Sequence, residues 1–247
     1  GVLVVNTPGG NAASVAEHAL ALMLSLARSI PQLNAALHAG RWEKSGAAGA
    51  ELRGKTLGLV GLGRVGAEVA RRARALEMRV LAYDPYITPE RAAEWGVELL
   101  PLPEMLAKAD YVSLHTALSP ATDRMVNASL LAQMKRGARL INTARGELVD
   151  EAALADALRS GHLAGAALDV FAVEPPKDSP LLSMPNVIAT PHVAGSTAEA
   201  QEEVGVQIAQ QVRDYLSEGV LRNAVNLPAV SPEQYRRLRP YLELAER

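Results

Sequence analysis

An α/β fold, a doubly wound parallel sheet with helices on both faces, is predicted by three observations. Short apolar runs of strand length alternate with helical stretches along most of the 247 residues. Glycines spaced G-x-G-x-x-G, residues 61–66, stand between one such run and the helix that follows it. Polar and charged residues gather where the apolar runs stop: Asp84, His115, Arg145, Asp169 and His192. In open α/β sheets, ligands sit beyond the carboxyl ends of the strands, so those positions are the informative ones.

The elements follow in order. Asn11 to Arg28 reads as a helix, with Val15, Ala19, Leu22 and Leu26 as its apolar stripe and Ser14 and Glu17 in capping-box spacing. It is either an ordinary core-facing helix or, with the extension Ala35 to Lys44 and its isolated Trp42, part of a subunit contact. Thr56–Val60 and Arg79–Tyr83 read as strands, with a helix from Ala67 to Leu76 between them. Arg71, Arg72 and Arg74 on that helix read as a solvated face. Gly96–Leu100, Tyr111–Leu114, Ala138–Asn142, Ala164–Val170 and Asn186–Ala189 are the remaining strand-like runs. Helices are expected near Pro103 to Lys108, around Asn127 to Met134, from Asp150 with Ala153, Leu154, Ala157 and Leu158 inward, and from about Thr197 to Leu216.

Bulk composition narrows the function classes. Apolar residues make up 49% and charged residues 21%, as in a globular protein. The net charge of −2 supplies no field toward nucleic acid or an anionic membrane. One phenylalanine, Phe171, and few other aromatics leave little for base stacking. The absence of cysteine fits a reducing compartment, and a cytoplasmic location is expected. The most apolar helix, around Ala19–Leu24, is too short to span a bilayer, and no basic region precedes Val2–Val5 as in a signal peptide. No metal is expected.

The candidate site starts at the glycines. Gly61 allows a tight turn, Gly63 lets a pyrophosphate approach bare backbone, and Gly66 lets the helix lie close on the strand. The helix start adds unpaired N–H groups and the positive end of a dipole. Asp84, eighteen residues past Gly66 at the end of the next strand, is placed to accept from ribose hydroxyls and to repel a 2′-phosphate. NAD is therefore expected over NADP. Arg145, flanked by Gly146 and directly following an apolar strand, can fork onto a carboxylate such as that of a 2-hydroxy or 2-keto acid. His192 can take a hydroxyl proton, provided a carboxylate fixes its other ring nitrogen; Glu174, on a turn stiffened by Pro175 and Pro176, is the candidate partner. Asp169 is read as a nicotinamide carboxamide contact or as a turn cap. His115 is read equally as a cofactor contact or a satisfied strand-end histidine.

Taken together, the chain resembles the D-isomer-specific 2-hydroxyacid dehydrogenases. The matching stretches are Gly-Leu-Gly-Arg-Val-Gly at 61–66, Tyr-Asp-Pro at 83–85, Leu-His-Thr at 114–116, Ile-Asn-Thr-Ala-Arg-Gly-Glu-Leu-Val-Asp at 141–150 and Ala-Ala-Leu-Asp-Val-Phe at 166–171. Glu-Pro-Pro at 174–176, Pro-His-Val-Ala-Gly-Ser-Thr at 191–197 and Asn-Ala-Val-Asn-Leu-Pro at 223–228 complete them. The resemblance implies a Rossmann-type fold and a catalytic trio of Arg145, Glu174 and His192. It places Arg64 and Val65 at the pyrophosphate and Asp84 at the ribose. Thr116, Thr143, Ala144, Asp169 and the stretch His192 to Gly195 would line the rest of the cofactor site. It further implies NAD-dependent oxidation of a D-2-hydroxy acid, with 3-phosphoglycerate the expected substrate, and a homodimer paired through the nucleotide domain. A glyoxylate or hydroxypyruvate reductase and an NAD-sensing corepressor-like module are the competing readings. Residues 1–191 are expected to be the NAD-binding domain with its helix and arm, and residues 192–247 a crossover helix and the start of a following domain. Members of the family begin with a substrate-binding domain of roughly a hundred residues. The start at Gly1–Val5 and the end at Pro240–Arg247 therefore read as a fragment of a longer protein, expected to bind NAD but to turn over poorly alone.

Overall fold

The computed structural model describes residues 2–45 and 48–227, with residues 234, 237, 238, 241 and 244 beyond them. Pro228, which ends the last matching stretch, and most of 240–247 lie outside the described residues. Seven strands form one sheet: β1 (Thr56–Val60), β2 (Arg79–Tyr83), β3 (Glu98–Leu99), β4 (Tyr111–Leu114), β5 (Arg139–Asn142), β6 (Gly165–Leu168) and β7 (Val187–Ala189). Their order is β3-β2-β1-β4-β5-β6-β7 and every pair is parallel. The winding reverses between β1 and β4, which opens the crevice where doubly wound sheets hold dinucleotides.

Parallel strands are buried on both faces, and their side chains alternate between two cores. Leu57, Leu59, Val80, Ala82, Tyr111, Ile141 and Ala167 join one apolar cluster with α1 (Ala12–Arg28) and α3 (Arg64–Ala75). Val60, Leu81, Val112, Leu114, Leu140, Ala166 and Leu168 join the other, against α5 (Leu102–Lys108), α6 (Ala128–Gln133) and α7 (Glu151–Arg159). The expected α1 stripe is buried throughout. Asp150 caps α7 by accepting from Ala152 and Ala153 N–H, and Asn127 caps α6 by accepting from Leu130 N–H.

Several local expectations are corrected. Helix α1 begins at Ala12, so Ser14 lies inside its first turn rather than at the cap. The run 96–100 pairs only at β3, because Gly96 turns through a left-handed φ of 65° and Pro101 opens the next helix. Helices α2 (Ile30–His38) and α4 (Pro89–Glu94) had no legible stripe: each buries a single alanine, Ala36 and Ala92. The arginines of α3 are not one solvated face. Arg72 bonds Glu68 on its own helix and Glu17 on α1 at 3.0 Å, and Arg74 donates to the Trp95 carbonyl at 3.1 Å.

Backbone contacts divide the chain into two compact units, residues 12–195 and residues 1–11 with 196–247. The sequence expectation drew its line at 191/192 and kept the first residues with the nucleotide domain. In the smaller unit, Thr197 caps α8 (Ala198–Glu218) by accepting from Ala200 N–H, and the Asn226 side chain ties Val2 and Val4 beside the Val5–Ala224 bridge. No single described helix is long and apolar enough to cross a membrane.

Candidate active site

The glycine loop leaves β1 and enters α3, and each glycine is required for a different reason. Gly61 sits at φ 95°, and a Cβ there would fall 2.7 Å from the His115 carbonyl oxygen. A Cβ on Gly66 would fall 2.4 Å from the Gly61 oxygen, so this glycine sets the close approach of helix to strand. A Cβ on Gly63 would meet no atom within 4 Å. Gly63 is therefore not demanded by the protein's own packing; the open space above it is where a phosphate group can meet backbone N–H donors at the start of α3. Arg64 is exposed beside it, and Val65 is half-buried. The residues present thus fit a dinucleotide.

Asp84, at the end of β2, is held by two backbone donors. Its Oδ2 accepts from Leu62 N–H and its Oδ1 from Tyr86 N–H, both at 2.8 Å. The carboxylate thereby stitches the glycine loop to the turn at Pro85 and remains partly open to solvent. At the end of β4, His115 turns its Nε2 back to Ser113 Oγ at 2.9 Å, and burial pushes its imidazole down to about 4, so it is neutral near pH 7. Its backbone and that of Thr116 lie against Gly61. His115 therefore supports the glycine loop from beneath.

The end of β5 is organised by Asn142, which sequence reasoning did not single out. Its side chain donates to the Arg145 carbonyl at 2.8 Å and accepts from Ala144 N–H at 3.0 Å, closing the turn through Thr143. The Thr143 hydroxyl is buried without a partner among the described residues. Arg145 is exposed at the tip, with Nη1 on the Ala144 carbonyl at 2.6 Å. Gly146 behind it is pressed onto the neighbouring loop, where a Cβ would fall 1.9 Å from the Phe171 carbonyl carbon. This contact docks the arginine turn on the loop that carries Glu174.

Glu174 and His192 meet. The His192 Nδ1 lies 2.7 Å from Glu174 Oε2, and Glu174 Oε1 accepts from Phe171 N–H at 3.0 Å. Partial burial works to raise the Glu174 pKa. The hydrogen bonds from His192 and Phe171, with the charges of His192 and Arg145, outweigh it and hold the carboxyl below the usual range. Glu151, at the start of α7, anchors the same loop through Ala172 N–H and the Ser179 hydroxyl. A polar cleft of about 160 Å³ is lined by Arg145, Glu147, Glu174 and His192, and an apolar cavity of about 360 Å³ that shares Phe171, Glu174 and His192 with it is lined also by Pro175, Pro176 and Pro191.

Asp169 caps a turn, one of the two readings its position allowed. No part of it reaches solvent, and its oxygens serve the turn that follows β7. Oδ1 accepts from the Thr190 hydroxyl at 2.6 Å and Val193 N–H at 3.0 Å, and Oδ2 from Ala194 N–H at 2.9 Å. A buried carboxylate needs such donors to satisfy its oxygens. These bonds tie the side chain to the His192 turn. Gly195 ends that turn, half-buried. Thr190 and Glu151 were also missed; the legible signal for Thr190 was a polar residue closing an apolar strand, the same signal that marked Asp84 and Asp169.

Strand order, open glycine and the cluster at the strand ends define a dinucleotide-binding α/β domain. A family model described as D-isomer specific 2-hydroxyacid dehydrogenase, NAD binding domain, matches residues 20–194, and the chain belongs to that family. The D-3-phosphoglycerate dehydrogenase of Archaeoglobus fulgidus is 48% identical over 248 residues, covering 100% of this chain and 47% of the relative. The chain thus spans about half the length of the curated relatives it matches. Among solved structures, the TT0316 protein of Thermus thermophilus superposes with a TM-score of 0.83 at 42% identity, covering 91% of this chain and 72% of that one. A D-lactate dehydrogenase from Aquifex aeolicus, complexed with NAD and lactic acid, superposes with a TM-score of 0.82 at 32% identity, covering 93% and 74%.

Proposed function

We propose that this chain is the NAD-binding and proton-handling part of a D-2-hydroxyacid dehydrogenase that oxidises 3-phosphoglycerate. The observation that carries the reading is the 2.7 Å contact between His192 and Glu174 in one cleft with Arg145. A bound NAD would supply the hydride acceptor for the substrate carbon. Gly63, Arg64 and the first N–H groups of α3 would hold its pyrophosphate, and Asp84 its adenosine ribose. His192 donates its Nδ1 proton to Glu174, which leaves Nε2 as the free acceptor. Nε2 takes the substrate hydroxyl proton as hydride departs, and the ionised Glu174 stabilises the imidazolium that results. Arg145 forks onto the substrate carboxylate and orients the reacting carbon. Asn142 and Gly146 hold the arginine turn in place. The choice of 3-phosphoglycerate rests on the 48% identity to a D-3-phosphoglycerate dehydrogenase over the whole chain.

A homodimer and a cytoplasmic location belong to the same proposal. Trp42 is 79% exposed, and Ile30 and Leu37 on α2 are also open, as suits an arm that covers a second subunit. The absence of cysteine accords with a reducing compartment. The test uses the full-length protein that contains this chain. NADH production is followed with 3-phosphoglycerate, D-lactate and D-glycerate as alternative substrates. Selective oxidation of 3-phosphoglycerate is expected. Turnover of the unphosphorylated acids alone would reassign the substrate, and turnover of none would favour a binding module.

A further inference from the structure

His18 lies on α1, beside the buried residues Val15, Ala19 and Leu22. Its Nε2 is 3.1 Å from Thr190 Oγ1 and 3.4 Å from Asp169 Oδ1. The direction of this bond follows from proton count. The single proton of the Thr190 hydroxyl is given to Asp169 Oδ1, so the hydroxyl oxygen can only accept from His18, whose Nε2 must carry the hydrogen. The network then runs from His18 through Thr190 to Asp169, and Asp169 also receives the N–H groups of Val193 and Ala194. The main-chain carbonyl of Asp169 receives His192 N–H at 2.7 Å. His192 itself sits at φ 53°, in the left-handed region that a side-chain-bearing residue holds only when its surroundings impose it. The same N–H also reaches the Thr190 carbonyl at 3.1 Å, so Asp169 and Thr190 together hold the turn, and His18 ties both to α1.

We infer that His18 is a positioning residue for the proton transfer, acting through Thr190 and Asp169 to hold the His192 turn. This rests on the reading of His192 as the base. The His18 ring does not enter the cleft, so its loss should leave cofactor and substrate affinity nearly intact while misaligning Nε2. Small misplacements of a reacting group are costly to the chemical step.

The experiment measures kcat, KM and NAD affinity in the full-length protein for His18→Leu, His18→Gln and Thr190→Val, with His192→Ala alongside. His18→Leu is expected to lower kcat about tenfold with KM little changed. His18→Gln, whose amide N–H can take the place of Nε2–H, should recover most of the loss, and Thr190→Val should resemble His18→Leu. Turnover of His18→Leu within about twofold of the parent would overturn the inference, as would equal loss in His18→Leu and His18→Gln, which indicates packing alone. If His18→Leu does not fold, Thr190→Val decides by the same kcat-against-KM criterion. Full activity in His192→Ala would remove the base itself and the inference with it; loss there with no effect at His18 would overturn only the inference.

Discussion

The two ends of the crevice are built by opposite means. At the glycine loop the structure depends on what is missing: Gly61 and Gly66 permit backbone contacts that a Cβ would forbid, and Gly63 leaves open space. At the His192 turn it depends on what is present: Asp169, Thr190, Asn142, Glu174 and Glu151 place backbone and ring by side-chain hydrogen bonds. The first end rests mainly on close backbone approaches, Gly61 to His115 and Gly66 to Gly61, with Asp84 accepting from Leu62 N–H. The second joins residues from β5, α7 and the segments that follow β6 and β7, so its alignment is a property of the folded sheet. A site that binds a widely used cofactor can be made of backbone; one that moves a proton needs aimed side chains.

The sharpest way to break this contrast is at the side-chain end. His192→Ala in the full-length protein is expected to reduce kcat by about 10²–10⁴ while NAD affinity stays nearly constant. Steady-state kinetics with an NAD titration checks both, and an equal loss of NAD affinity would erase the division of labour. Gly146→Ala should be the most damaging change to the fold of the site, costing about 3 kcal/mol or more because the new methyl would overlap the Phe171 carbonyl; chemical denaturation measures it. Gly63→Ala sharpens the contrast from the other side. It should cost no more than about 1 kcal/mol of stability, since no protein atom is displaced, yet weaken NAD by about tenfold, or ~1.4 kcal/mol. Calorimetric NAD binding beside a urea curve separates the two effects.

The smallest expected effect concerns pH. Burial holds the His115 imidazole down at about 4, against about 6.5 when unfolded. Between these values the unfolded chain takes up a proton that the folded chain refuses, so stability rises with pH through that window and levels off above it. His115→Gln should flatten this part of the slope, read as urea midpoints at about pH 5 and about pH 7.5. An unchanged slope would show that His115 is not confined beneath the glycine loop.

Much of the fold was legible in the sequence, for physical reasons visible in particular elements. β1, β2 and β4 have the predicted limits because a buried parallel strand is a continuous apolar run bounded by polar or glycine residues. α2 and α4 were not legible, since each turns only one alanine inward. Of the site, Arg145, Glu174, His192 and the glycines carried readable chemistry. Glu151 and His18 did not, because their partners lie far off in sequence, and Asn142 did not, because it looks like any strand-end residue until its side chain is seen to close the Arg145 turn. Asp169 carried two readings in the sequence because a carboxylate at a strand end looks alike whether it faces a ligand or caps a turn with donors of its own chain.

The arrangement at the carboxyl ends of the strands is tested most directly by a crystal structure of the protein with NAD bound. The pyrophosphate should lie over Gly63 at the start of α3, with the reactive face of the nicotinamide turned toward the cleft that Arg145, Glu174 and His192 line. A nicotinamide ring seated away from that cleft, or a pyrophosphate bound elsewhere than on the glycine loop, would contradict it.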